Sequence, residues 1–127
     1  NDVVEAAFVP NAELAAIASL EDDWDGQGAA APNQCAIDRA YQLEAELLRT
    51  NLPAPDVMAD AEGGVAFWFY RTRGGIDTGH AGLLCMNSGA VLLHLEDLPN
   101  GPIRVHPASD LQEALRQVHG LLRSHFD

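Results

Sequence analysis

Lysine is absent from this 127-residue chain, and its seven basic residues are all arginine. Against nineteen Asp and Glu they leave a formal net charge of −12. Such a surface lacks the clustered cations that displace counterions from a phosphate backbone, which argues against DNA, RNA and anionic membrane as direct partners. Cysteine is scarce too. Cys35 and Cys85 have no metal-binding or redox spacing and read as small side chains in a reducing compartment. No apolar run approaches the roughly 18 to 20 residues that span a bilayer, and NDVVEAAFVP has neither the basic start nor the apolar run of a signal peptide. A soluble, cytoplasmic protein is expected. Phosphate-cradling glycine patterns are missing as well: RGGIDTGHAG holds no Gly-Lys-Ser/Thr and no GxGxxG. Ser88, in NSGA, fits a hairpin turn and lacks the pattern of a nucleophile elbow.

What the chain does have is acid, unevenly placed. Residues 1–63 carry thirteen acids and only Arg39 and Arg49, a net −11, while residues 64–127 come to −1. A length of 127 residues with 47% hydrophobic content suits one domain, 1–127, with its own core. Asn11 is a candidate N-cap for a short helix that places Leu14, Ile17 and Ala18 on one side and stops near Asp22. Pro32 and Asn33 open a second helix, about 33–50, with Ala36, Ile37, Ala40, Tyr41, Leu43, Leu47 and Leu48 on one broad face. Glu44 falls inside that face and needs a partner, for which Arg71 or Arg73 is expected.

From Asp56 the period changes to two. DVMADA, a turn EGG and VAFWFYR read as one hairpin; GLLCM, NSG and AVLLHLE read as another, with Val91, Leu93 and Leu95 inward and His94 and Glu96 outward. RTRGGIDTGHAG between them is either a loop or the start of a strand at Ile76. Ser109 and Gln112 form a capping box for a last helix with a stripe of Leu111, Leu115, Val118, Leu122 and Phe126. The expected fold is α+β in two layers: an antiparallel sheet of about four strands, helices mainly on one face, order ααββββα.

SLEDDWDGQGAAAPN, residues 19–33, begins like a calcium loop, with Glu21, Asp23, Asp25 and Gly26 at the right offsets. Its twelfth position is Pro32, which has no side-chain oxygen, so half the cage is missing. The stretch reads instead as a corner between two helices, packed by Trp24 and rimmed by acids. WDGQGAAAP followed by PAPDVMADAEGGVAFWF resembles a set of small uncharacterised bacterial and phage proteins with a WDGxGAxxP motif and a Gly-Gly hairpin after it. The resemblance spans about residues 15–96 and implies the order of two helices and then hairpins. It implies no activity.

No catalytic set is evident. His119 and His125 lie about 120° apart on a helical wheel. His80, His94 and His106 fall on different elements and could meet Asp77 or Glu96, but scattered single histidines usually do not, so neither a metal site nor a cofactor is expected. In VAFWFYR, Phe67 and Phe69 turn inward while Trp68 and Tyr70 turn out, making an interface patch if helices cover one face only.

The leading functional expectation is a non-enzymatic acidic binding module. It would act as an inhibitor, immunity, antitoxin-like or phage anti-defence protein, occupying a basic, often nucleic-acid-binding, surface of its target. Glu21, Asp22, Asp23, Asp25, Trp68 and Tyr70 are its candidate contacts. Two alternatives stand beside it: a small enzyme or ligand-binding domain around Glu44, between the second helix and the sheet, and a structural or homo-oligomerising subunit.

Overall fold

Hairpin chemistry organises the chain. β1 (Asp56–Asp60), β2 (Gly64–Arg73), β3 (Ile76–Met86), β4 (Val91–Asp97) and β5 (Ile103–Pro107) form one antiparallel sheet in sequence order. α1 (Ala12–Ala18) and α2 (Gln34–Leu47) precede it, and α3 (Leu111–Arg123) follows. This computed structural model describes residues 12–98, 103–108 and 110–123. The expected α+β architecture is present with five strands, where the sequence suggested four. The added strand, IRVHP, is short and ends in proline, so its own pattern is weak. It is a strand because β4 offers it a ladder, from Leu92–Pro107 to Glu96–Ile103. The segment at Ile76, ambiguous in sequence, is the start of β3. Gly74 and Gly75 both take positive φ (60° and 81°) and close a two-residue connection from β2.

Period-two alternation divides the sheet into two faces. Val65, Phe67, Phe69, Ala81, Leu83, Cys85, Val91, Leu93 and Leu95 are buried against the helices, joined by Leu14, Ile37, Leu43, Leu47, Leu115 and Val118. Burying each phenylalanine contributes about 1.5 to 3 kcal/mol. In α2 the buried set is narrower than the helical wheel suggested: Tyr41 and Leu48 are 45% and 51% exposed. In α1, Leu14 and Ile17 are buried but Ala18 is exposed. In α3, Ala114 and Leu121 join the buried stripe, and Leu111 and Leu122 pack only partly against it. Asn11, Ser109, His125 and Phe126 lie outside the described residues. Asp110, beside Ser109, accepts the backbone N–H of Gln112 through its carboxylate at 2.9 Å. Both cysteines are free, Cys35 exposed and Cys85 buried. Burial pushes the Cys85 thiol up to about 12, with the Arg39 charge opposing the shift, which leaves it chemically inert near neutral pH.

Glu44 is buried at 5% exposure, as its place on the helix requires. Arg71 is buried as well, and its guanidinium forms an ion pair with Asp97 at 2.8 Å. Its guanidinium also donates to the Leu121 carbonyl at 2.8 Å, in the last turn of α3, and to the carbonyl and hydroxyl of Thr78. A cation from the sheet therefore satisfies a carbonyl at the negative end of a helix. Arg73 is exposed beside the β2–β3 turn.

Candidate functional site

The acidic corner is built from its own side chains. Asp23 sits at φ 67°, a left-handed angle that aspartate tolerates, and its carboxylate accepts the Gly28 N–H at 2.6 Å. Asp25 accepts from Gln27 at 2.8 Å and Ala29 at 3.1 Å, and Asp22 accepts from Ala31 at 3.0 Å. The two amides on Asp25 hold its carboxyl below the ordinary aspartate value. Trp24 is half-buried and donates its indole N–H to the Ala30 carbonyl at 3.1 Å. Glu21, Asp22, Asp23 and Asp25 are all exposed, yet three of the four direct an oxygen inward to the loop's amides. The rim acids therefore also hold the loop's backbone in place.

Asn87, in the β3–β4 turn, ties this corner to the sheet. It accepts the Asn33 N–H at 2.8 Å and donates to the Ala31 carbonyl at 3.0 Å, while its own N–H reaches the Gly63 carbonyl at 2.9 Å. The tryptophan-glycine corner, the N-cap of α2 and the Gly-Gly turn thus meet at one residue, although they lie up to 56 positions apart. Asn87→Ala is expected to cost about 1 to 2 kcal/mol in urea melts, from two lost side-chain bonds. Asn87→Asp, which keeps the acceptor, should cost less; unchanged stability in both would remove Asn87 from this role.

The other concentration of chemistry lies on the sheet face away from the helices. Trp68 on β2 is opposite Gly82 on β3, and Gly82 is opposite His94 on β4. A side chain at 82 would meet the indole at 2.5 Å, so the glycine is what lets Trp68 lie across β3 toward His94. One step along the sheet, Tyr70, His80 and Glu96 stand in line on the same three strands. The rings interlock: Trp68 is edge-on to His94 at 5.1 Å and to His80 at 5.7 Å, His80 and His94 stack within 12° of parallel, and Tyr70 meets His80 at 6.2 Å. His80 Nε2 lies 2.9 Å from Glu96 Oε1, and His94 Nε2 lies 3.4 Å from the same oxygen. These three donor atoms all fall within 4.8 Å of one another, the spacing of a ligand set for one ion or of a shared-proton network. Strand period alone puts His94 and Glu96 on one face, but in the sequence the histidines are scattered over separate elements. The missing fact was the β3–β4 register, which puts His80 directly opposite Glu96. The side chain of His106 lies outside the described residues.

The surroundings of this cluster are apolar and acidic. Met58, Tyr70, Ile103 and Val105 are exposed, and Leu84 and Leu92 half-exposed. Partial burial raises the Tyr70 phenol above its ordinary value, and the Asp56 and Asp77 carboxylates add to the rise. Strand alternation puts Arg71 on the helix side, and Arg104 lines a groove there with Asp97 and Leu121. The carboxylates of the open face are thus not neutralised by either arginine. A groove of about 410 Å³ between α3 and the end of α2 is lined by Thr50, Leu52, Leu115, Arg116 and His119, not by Glu44. No described helix is long and apolar enough to cross a membrane. Comparison with protein-family models, with curated proteins and with solved structures finds no match.

Proposed function

We propose that this chain is a protein-binding module that docks a partner of basic and apolar character on the open face of its sheet. One observation carries the reading: the described helices cover one face, and among the described residues the other presents Met58, Trp68, Tyr70, Ile103 and Val105 with the carboxylates of Asp56, Asp77 and Glu96. Half-exposed aromatics on a rigid sheet are suited to be anchors, because they add contact area at little entropic cost. The net −11 of residues 1–63 would steer a basic partner toward this face, an effect that salt screens. The exposed acids Glu21, Asp22, Asp23 and Asp25 belong to that steering field rather than to the docking surface. On this reading the chain acts as an inhibitor or antitoxin-like protein that masks a basic, nucleic-acid-handling surface of its target.

The test compares the wild-type chain with a Tyr70→Glu, Val105→Glu double variant as bait, with thermal melts of both. Both side chains are exposed, so the melting temperature should change little. A basic partner should be retained by the wild type and released at least tenfold faster by the variant, and its association should slow as salt rises. A partner held equally by both baits would place the interface elsewhere. A wild-type dimer that the double substitution dissociates would reassign the face to self-association.

A further inference from the structure

We propose that His80, His94 and Glu96 form a binding site for a divalent transition-metal ion of the zinc class, with a coordination position left open to solvent. The site follows from register. His94 and Glu96 are two apart on β4 and share a face, and His80 is the cross-strand neighbour of Glu96 on β3. Three donors therefore come from two adjacent, hydrogen-bonded strands, a more rigid support than loops. Both imidazoles direct Nε2 at one oxygen of Glu96, at 2.9 and 3.4 Å. Ligands held tetrahedrally by a metal at 2.0 to 2.1 Å are about 3.3 Å apart. Both histidine–glutamate separations stand near that spacing, all three donors lie within 4.8 Å of one another, and side-chain rotamer adjustment can supply the rest.

The tautomer of His80 argues for an ion over a plain hydrogen-bond network. If Nε2 carries the proton and donates to Glu96, Nδ1 is left as a bare acceptor. That atom is buried with no hydrogen-bond partner, and the nearest charged group is the Asp77 carboxylate at 3.9 Å, another acceptor. A metal on Nε2 moves the ring proton to Nδ1 and turns it toward Asp77 as a donor. Closing that 3.9 Å gap to hydrogen-bond distance would complete the carboxylate–histidine–metal relay that orients imidazole ligands in metalloproteins. Trp68 walls one side of the site, held there by the missing side chain of Gly82, and Tyr70 flanks His80. Two imidazoles and one carboxylate suit zinc and its first-row neighbours and are poor ligands for magnesium or calcium, which take oxygen. Three protein ligands leave a fourth position for water or an incoming side chain. The site shares the face assigned to docking but does not depend on a partner, since the isolated chain can be titrated.

The experiment uses tag-free, chelator-stripped protein titrated near neutral pH with Zn²⁺ in a calorimeter and with Co²⁺ in visible absorption. One equivalent should bind saturably and raise the melting temperature, and Co²⁺ should develop d–d bands. His94→Gln and Glu96→Gln should each weaken Zn²⁺ binding by at least about tenfold and remove the thermal shift; Asp77→Asn, which alters only the relay, should weaken it by about tenfold. His119→Gln, on α3, should bind as the wild type does. Metal-free melts establish that the variants are folded, and Glu96→Gln, nearly isosteric, decides the matter if a histidine variant is unstable. Absence of saturable Zn²⁺ heat, or one-equivalent binding that survives both His94→Gln and Glu96→Gln, would overturn the proposal, as would binding lost only in His119→Gln.

Discussion

Gly64→Val should yield no stably folded protein, the largest single-residue effect expected in this chain. Gly64 has φ 152°, outside the range that residues with a side chain readily adopt, and a Cβ there would strike the backbone carbonyl oxygen of Cys85. That obstacle is strand backbone at the end of the β2–β3 ladder, where Gly64 pairs with Met86 and Val65 with Cys85, so it cannot rotate aside as a surface side chain would. Relief would require β2 and β3 to separate, and Val65, Phe67 and Leu83 beside the break are fully buried. The expected loss exceeds about 4 kcal/mol, comparable to the total margin of many small domains. Gly26→Ala is the control. Its φ of 74° is also positive, but no heavy atom lies within 4 Å of the added Cβ, so only backbone strain of about 1 to 2 kcal/mol should appear. Circular dichroism and urea melts of the two variants measure the contrast. Equal modest losses would mean the β2–β3 contact at Gly64 is looser than this geometry implies.

Arg71→Met should be the next most damaging, costing about 3 kcal/mol, while Asp97→Asn should cost only about 1. The pair is asymmetric: the Arg71 side chain is 4% exposed and that of Asp97 is 41%. Water can take over the solvation of Asp97, so the ion pair itself is weakened by screening. The Leu121 carbonyl has no such recourse at a buried site and the half-buried Thr78 carbonyl has little, so losing the guanidinium leaves two strong acceptors without that donor. Methionine fills the volume, which isolates the polar loss from a cavity. Arg71→Lys should recover little, because one ammonium cannot reproduce a fork that reaches Thr78, Leu121 and Asp97 together. Amide exchange should accelerate first in the last turn of α3. If Asp97→Asn costs as much as Arg71→Met, charge pairing rather than helix-end satisfaction dominates.

Local patterns carried much of the fold. Phe67 and Phe69 against Trp68 and Tyr70, or Val91, Leu93 and Leu95 against His94 and Glu96, needed only the period of a strand to be assigned to opposite faces, and the structure places each as the alternation required. Glu44 was legible as a buried acid for the same reason, since a helix of 3.6 residues per turn leaves it no other side. The helix ends were harder: α2 begins at Gln34, where Asn33 caps it, and ends at Leu47, and the exposure of Tyr41 and Leu48 reflects how much surface α1, α3 and the sheet could cover.

The alternation of each strand and the amphipathic face of each helix were determined by the sequence itself, because both depend on bond geometry and near neighbours. So was the charge asymmetry between the two halves of the chain. Register, and everything that depends on it, was decided by the tertiary structure. His80 and Glu96 are sixteen positions apart and become neighbours only through the β3–β4 ladder. Asn87 reaches Asn33 and Ala31 because the β3–β4 turn folds back against the start of α2. Arg71 finds Leu121 across fifty residues. IRVHP becomes β5 because β4 has an unpaired edge to fill. A one-residue slip reverses a strand's faces, so such pairings are selected by burial of the whole sheet rather than by any short stretch of it.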